Sequence, residues 1–139
     1  MNTTQTFDNR SIGIFDSGIG GLSIAKRISE QLPHENLIYV ADSQHAPYGE
    51  KSTGFITERV NLIAQQLIKQ ECKALVIACN TATVNAISQL RSQVDIPIIG
   101  VEPAIKPAAK QSINKKVAVL VTQATSQNPN FQRLIDRHH

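Results

Sequence analysis

Tryptophan is absent from this chain of 139 residues, and aromatic residues make up only 4% of it. Any core must therefore be mostly aliphatic. The apolar content of 41% is enough for one, and the length suits a single domain. No apolar run approaches the roughly 18 residues of a membrane span. The first ten residues are polar and hold no apolar stretch of the kind a signal peptide needs. Cysteine is scarce: Cys72 and Cys79 are the only two, with neither metal-ligand spacing nor a disulfide framework. Free thiols fit a reducing compartment, so a cytoplasmic location is expected. One-sided charge is lacking too. The net charge is +3, the basic residues are scattered, and Lys115-Lys116 is the only pair of adjacent lysines. That pattern is a solvated surface, and neither a nucleic acid nor a membrane is an expected partner. There is no internal repeat at a fixed short period and no low-complexity segment.

What is present is alternation. Residues 1–10 are expected to be a flexible leader. Strands are predicted over Ser11–Phe15, Leu37–Ala41, Ala74–Ala78, Ile98–Val101 and Val117–Thr122. Helices are predicted over Leu22–Gln31, about Thr53–Gln70, about Ala82–Arg91, Pro103–Ser112, and from Asn128-Pro129 to the C-terminus. In the long helix Ile56, Val60, Ile63, Ala64, Leu67 and Ile68 recur at a 3.6 period, marking one buried face. Five strand–helix alternations define an α/β chain: an open parallel sheet with flanking helices, flavodoxin-like in layout.

The most informative stretch is Ala74-Leu-Val-Ile-Ala-Cys79-Asn80-Thr81-Ala-Thr83. Its aliphatic half reads as a strand buried on both faces. The chain then turns polar within one residue and enters a helix that Asn80, Thr81 or Thr83 would cap. Cys79 is thus expected at the carboxyl end of a central strand, before a helix N-terminus whose partial positive charge favours thiolate over thiol. A lone cysteine is often only a core residue. Three hydrogen-bonding side chains in succession beside it favour a functional thiol, because a core position has no use for them.

Loops that follow parallel strands gather at one sheet edge. Three of them carry chemistry here: Asp16-Ser17, Pro47-Tyr48-Gly49 and Cys79-Asn80-Thr81. Glu102, after the fourth strand, is a candidate base, but helix capping or a lobe contact suits it better. Gly18-x-Gly20 with Asp42 about 20 residues on has the outline of a dinucleotide fingerprint. Asp16 opposes it, placing a carboxylate where pyrophosphate would lie. Asp16 fits better as reader of a substrate cation, as orienter of a catalytic group, or as cap of the first helix. Ser17 and the turn amides would then hold a carboxylate. Tyr48-Gly49 reads as an ordinary turn or as a substrate contact. His34, His45, His138 and His139 read as surface residues.

Four motifs in order carry a family resemblance: Gly13-Ile-Phe-Asp-Ser-Gly-Ile-Gly-Gly-Leu22, Ala41-Asp-Ser with Ala46-Pro-Tyr-Gly49, Ala78-Cys-Asn-Thr-Ala82, and Gly100-Val-Glu-Pro-Ala104. The chain resembles the glutamate racemases of the cofactor-independent aspartate/glutamate racemase superfamily, from about Ser11 to its end. The resemblance implies L/D-glutamate interconversion without pyridoxal phosphate or metal, feeding peptidoglycan synthesis in a bacterium. One cysteine thiolate removes the α-proton and a second cysteine, as thiol, donates from the opposite face. It assigns Cys79 as the first of these. Asp16, Ser17, Tyr48, Gly49, Asn80 and Thr81 become the substrate contacts. It leaves room for a homodimer. Val121-Thr-Gln-Ala-Thr125 resembles a further family motif that often has Gly at the position of Ala124.

The second family cysteine lies in a Gly-Cys-Thr-His segment, which does not occur here. Cys72 cannot replace it. Seven residues of strand at about 3.3 Å each put it roughly 20 Å from Cys79, whereas both bases must reach one carbon. The expected layout is a first racemase lobe over residues 11–99 and the start of a truncated second lobe over 100–139, inactive alone. The alternatives are a self-contained flavodoxin-like module binding a small ligand, or an aspartate racemase with the same two-thiol logic.

Overall fold

The computed structural model describes residues 7–138. Strands β1 (Ile12–Asp16), β2 (Leu37–Ala41), β3 (Ala74–Ile77) and β4 (Ile98–Gly100) form one parallel sheet in the order β2-β1-β3-β4. Helices α1 (Leu22–Gln31), α2 (Thr53–Lys69) and α3 (Asn80–Gln93) connect them. Helices α4 (Ile105–Gln111), α5 (Gln123–Ser126) and α6 (Pro129–Asp136) follow β4. The expected α/β class and parallel sheet are what the chain adopts.

The core lies between the sheet and helices α2 and α3. Ser52 caps α2 by accepting from the Phe55 amide. From there Ile56, Val60, Ile63, Ala64 and Leu67 run as a buried stripe against Phe15, Leu75 and Ile77 of the sheet. Each large aliphatic side chain in that stripe contributes about 1.5–3 kcal/mol by leaving water. The other face is covered more thinly. None of the residues of α1 is fully buried, and Leu22 is half exposed.

Gln70 is the C-cap of helix α2, and Glu71 follows in the left-handed region at φ 59°. A Cβ is disfavoured there and glycine is the usual occupant. Glu71→Gly is expected to stabilise the fold by about 0.5–1 kcal/mol, read as a higher denaturant midpoint at unchanged slope.

The structure departs from the sequence expectations at several places. Residues 117–122 were expected to form a fifth strand, and among the described residues that stretch forms none. None of its described backbone groups bonds to β4, and strand propensity without a ladder partner makes no sheet. Val117, Val119 and Leu120 are exposed instead. Helix α3 begins two residues earlier than its apolar pattern suggested, at Asn80, because Cys79 is itself the N-cap. Its sulfur accepts from the Ala82 amide at 3.4 Å, a role a sequence reading gives to hydroxyls and carboxylates. Glu102 caps nothing: α4 starts after Ala104 with no side-chain cap, and Glu102 is exposed. By contrast, Asn128 with Pro129 opens α6 as expected, Oδ1 accepting from the Asn130 amide at 2.8 Å.

Most of the expected leader, residues 1–6, lies outside the described residues, as does His139. Of the leader's end, the Asp8 carbonyl accepts from Lys73 Nζ at 2.7 Å and the Asn9 carbonyl from Asn36 Nδ2 at 3.0 Å. Among the described residues no helix is long and apolar enough to cross a membrane.

Candidate active site

The strand order places β1 beside β3, although β2 lies between them in sequence. Connections leave in opposite directions from that pair, and such a switch point is where open α/β sheets form a crevice at their carboxyl ends. The register sets Phe15 opposite Ile77. Asp16 therefore emerges beside Ala78, and Cys79 follows at once. A cleft of about 690 Å³ opens there, lined by Asp16, Cys79, Asn80, Thr81, Thr122 and Thr125 together with apolar Ile24, Val101, Pro103 and Val119–Val121.

Asp16 is buried, and its Oδ2 accepts from the amides of Gly18 and Gly21, both at 3.1 Å. The glycine-rich turn thus spends these two amides on its own carboxylate. They hold no substrate carboxylate, as the sequence reading had suggested, and no phosphate. No described hydrogen bond falls on Oδ1, which leaves that oxygen for the cleft. Tyr39 on β2 donates to the Gly18 carbonyl at 2.8 Å and holds the same turn from the other side. Burial pushes the Tyr39 hydroxyl up, with the Asp16 carboxylate and Cys79 adding to the effect, so it remains a donor.

Cys79 is 8% exposed, so its thiol is nearly buried yet reaches the cleft. Ser17 Oγ lies 3.5 Å from its sulfur. Asn80 Nδ2 donates to the Val101 carbonyl at 2.7 Å, tying the start of α3 to the end of β4. Thr81 Oγ1 is 2.9 Å from Thr122 Oγ1 and 3.3 Å from Thr125 Oγ1, and Thr122 Oγ1 donates to Thr125 Oγ1 at 3.1 Å. These three hydroxyls form one triangle on the cleft wall. Cys72 sits at the other end of β3, buried, with its thiol pushed up by burial.

Tyr48 and Gly49 lie behind this wall rather than on it. The Tyr48 ring is 1% exposed, tilted against Phe15 at 6.1 Å, and its hydroxyl donates to Asp42 Oδ2 at 2.6 Å. Gly49 abuts Thr122 so closely that a Cβ there would lie 2.5 Å from Thr122 Cβ. The structure thus brings Asp16, Ser17, Cys79, Asn80 and Thr81 together and sets the Tyr48-Gly49 turn one layer back.

Asp42, matched in sequence to a ribose-binding acid, instead carries an internal ion cluster. Arg59 of α2 grips it bidentately, Nε to Oδ2 and Nη2 to Oδ1, each at 2.9 Å, and His45 Nδ1 lies 2.9 Å from Oδ1. His45 is accordingly a half-buried member of this cluster and not the solvated loop residue expected. Burial alone would raise the Asp42 carboxyl. The hydrogen bonds from Arg59, Tyr48 and His45 outweigh it and hold the carboxyl down at about 2. A depressed carboxylate stabilises the fold above its ordinary value, and that stability is lost as pH falls through the folded value. The chain should therefore lose roughly 2 kcal/mol from this group as pH falls from about 5 to about 1. Asp42→Asn should flatten that part of a stability-versus-pH curve from urea unfolding. Nothing in the sequence singled out Arg59. Its only signal is a cation at the edge of the stripe that Ile56 and Val60 define.

Among the described residues no three His, Cys, Asp or Glu side chains gather in a group that could hold a metal.

The family model for Asp/Glu/Hydantoin racemases matches residues 12–139. A glutamate racemase of Ectopseudomonas mendocina is 51% identical over 138 residues, which is 99% of this chain and 51% of that protein. One of Ralstonia pickettii is 51% identical over 124 residues, 89% of this chain and 44% of that protein. The crystal structure of Escherichia coli glutamate racemase in complex with L-glutamate and the activator UDP-MurNAc-Ala aligns with a TM-score of 0.85 at 41% identity, covering 93% of this chain and 49% of that one. Glutamate racemase from Aquifex pyrophilus aligns at 0.85 with 36% identity, covering 92% and 51%.

The parallel sheet with flanking helices is the fold these racemases share with this chain over the aligned region. The chain belongs to the Asp/Glu/Hydantoin racemase family, and its named relatives are glutamate racemases, as the four motifs implied. It spans about half the length of the curated relatives it matches.

Proposed function

We propose that this chain supplies one face of a two-base glutamate racemase, with Cys79 as the base on that face. The observation that carries the reading is the Cys79 thiol at the N-cap of α3, opening on the same cleft as Asp16 and Thr81. Glutamate would enter with its ammonium toward Asp16 Oδ1. The Cys79 thiolate would take the α-proton and become a thiol. The electron pair left on the α-carbon delocalises into the α-carboxylate, and donors aimed at those oxygens lower the barrier. Ser17 and Thr81 are the side-chain donors in reach of that position. Return of a proton on the same face restores the starting enantiomer. Return on the opposite face, from a second thiol, inverts it and produces D-glutamate for peptidoglycan synthesis.

The related racemase crystallised with L-glutamate supports the substrate class. The exposed Ile113, Val117, Val119 and Leu120 side chains do not suit a self-contained ligand-binding module.

A solvent-exchange experiment tests the reading. The chain is incubated in D2O with L- or D-glutamate, and the α-proton signal is followed by NMR. One enantiomer should lose its α-proton signal without the other appearing. Rapid interconversion would contradict the need for a second thiol, and no exchange in either enantiomer would remove Cys79 as a working base.

A further inference from the structure

The Asp42 cluster lies outside the cleft. Neither Asp42 nor Arg59 lines it, and neither belongs to the chemistry proposed above. Yet four hydrogen bonds converge on one buried carboxylate, and a continuous set of rigid contacts leads from there to the cleft wall. Arg59 and Asp42 meet fork to fork, a geometry that sets direction as well as distance. Asp42 holds the Tyr48 hydroxyl at 2.6 Å. The Tyr48 ring is locked between that bond and Phe15, the residue before Asp16. Gly49 follows Tyr48 directly, and its backbone rests on Thr122 with no space for a methyl group. Thr122 in turn shares the hydroxyl triangle with Thr81 and Thr125. Thr122 itself is exposed and is the N-cap of the short α5, so its cap bonds from the Thr125 and Ser126 amides orient it within that turn while the Gly49 contact sets it against Thr81.

We propose that the Asp42–Arg59 pair is a positioning device for the cleft, setting Thr122 against Thr81 through the Tyr48-Gly49 turn. Arg59 and Asp42 touch no substrate in this arrangement. They act on its binding through the wall that Thr81, Thr122 and Thr125 form. The role goes beyond the proposed glutamate reaction, and only the affinity arm of the test rests on that reading.

The full 139-residue chain is compared as wild type, Arg59→Met, Arg59→Lys, Gly49→Ala and Leu67→Ala by 1H–15N NMR, well below each unfolding midpoint. Arg59→Lys keeps the charge but loses the fork, so it tests direction where Arg59→Met is too unstable. Gly49→Ala strikes the same path downstream, with the ion pair intact. Leu67→Ala is the control, a core residue of α2 that lies off the path. Arg59→Met, Arg59→Lys and Gly49→Ala should all displace the Thr81, Thr122 and Thr125 amide resonances. Leu67→Ala should leave them in place despite a larger loss of stability. Titration with L- and D-glutamate should show affinity about tenfold weaker in Arg59→Met, the size of one positioned hydrogen bond. Wild-type threonine resonances in the folded Arg59 variants would overturn the proposal, as would equal displacement in Leu67→Ala. A wild-type chain that binds neither enantiomer counts against the glutamate reading, and the resonances then decide the positioning role alone.

Discussion

Cys79→Ser is expected to lower α-proton exchange of glutamate by about 10²–10⁴-fold, the usual contribution of a positioned general base. The substitution keeps the shape of the site almost intact. A serine oxygen accepts from the Ala82 amide at least as well as the sulfur now does at 3.4 Å, so α3 keeps its cap. What changes is the acid. A thiol is intrinsically a far stronger acid than an alkanol, so only the thiol supplies an appreciable fraction of basic anion. Cys79→Ala removes both functions and should add about 1 kcal/mol of lost capping to the same loss of exchange. The pair of variants therefore separates chemistry from stability. Equal exchange in wild type and Cys79→Ser, at equal folded fraction, would mean that another group removes the proton.

Gly21→Ala should destabilise the fold by about 2–3 kcal/mol, at the upper end of overpacking costs, while Gly18→Ala in the same turn should be nearly neutral. Backbone conformation does not explain the difference, since Gly21 has φ −66°, open to any residue. Space explains it. A Cβ on Gly21 would lie 2.7 Å from Asp16 Cβ, 2.9 Å from Ala78 Cβ and 3.0 Å from the Tyr39 hydroxyl, whereas nothing lies within 4 Å of one on Gly18. The first two neighbours are attached directly to the backbone at the ends of β1 and β3 and cannot rotate away. Relief requires those two strand ends to part, and they carry Asp16 and the approach to Cys79. Thermal unfolding reads the stability, and the Asp16 and Cys79 resonances read the displacement. A wild-type melting temperature in Gly21→Ala would show that the turn is looser than its contacts imply.

The periodic elements were the legible part. Helix α2 could be read because Ile56, Val60, Ile63, Ala64 and Leu67 recur on one face, and burial against a sheet is what maintains such a pattern. Helix α6 announced itself through Asn128-Pro129, a local rule that needs no partner. The stretch from 117 to 122 misled for the converse reason. Val117, Val119 and Val121 alternate like a strand, but a strand exists only beside another, and the sequence does not say whether one is present. The start of α3 was misplaced because a cysteine seldom serves as a cap. Tyr48 was recognised as important, but its neighbours were not. Its hydroxyl is committed to Asp42, seventeen residues before Arg59, and such a distant pairing leaves no periodic trace.

By itself the sequence determined the alternation of strands and helices, the aliphatic core and the polar break at Cys79, because each depends on residues close along the chain. It also carried the family, through four short motifs in order. Only the tertiary structure decided that β1 lies beside β3, so that Asp16 and Cys79, 63 positions apart, open onto one cleft. It alone closed the Thr81–Thr122–Thr125 triangle and the Asp42–Arg59 pair. Those contacts join segments through space, and their geometry follows from sheet order and helix packing, which short-range patterns do not encode.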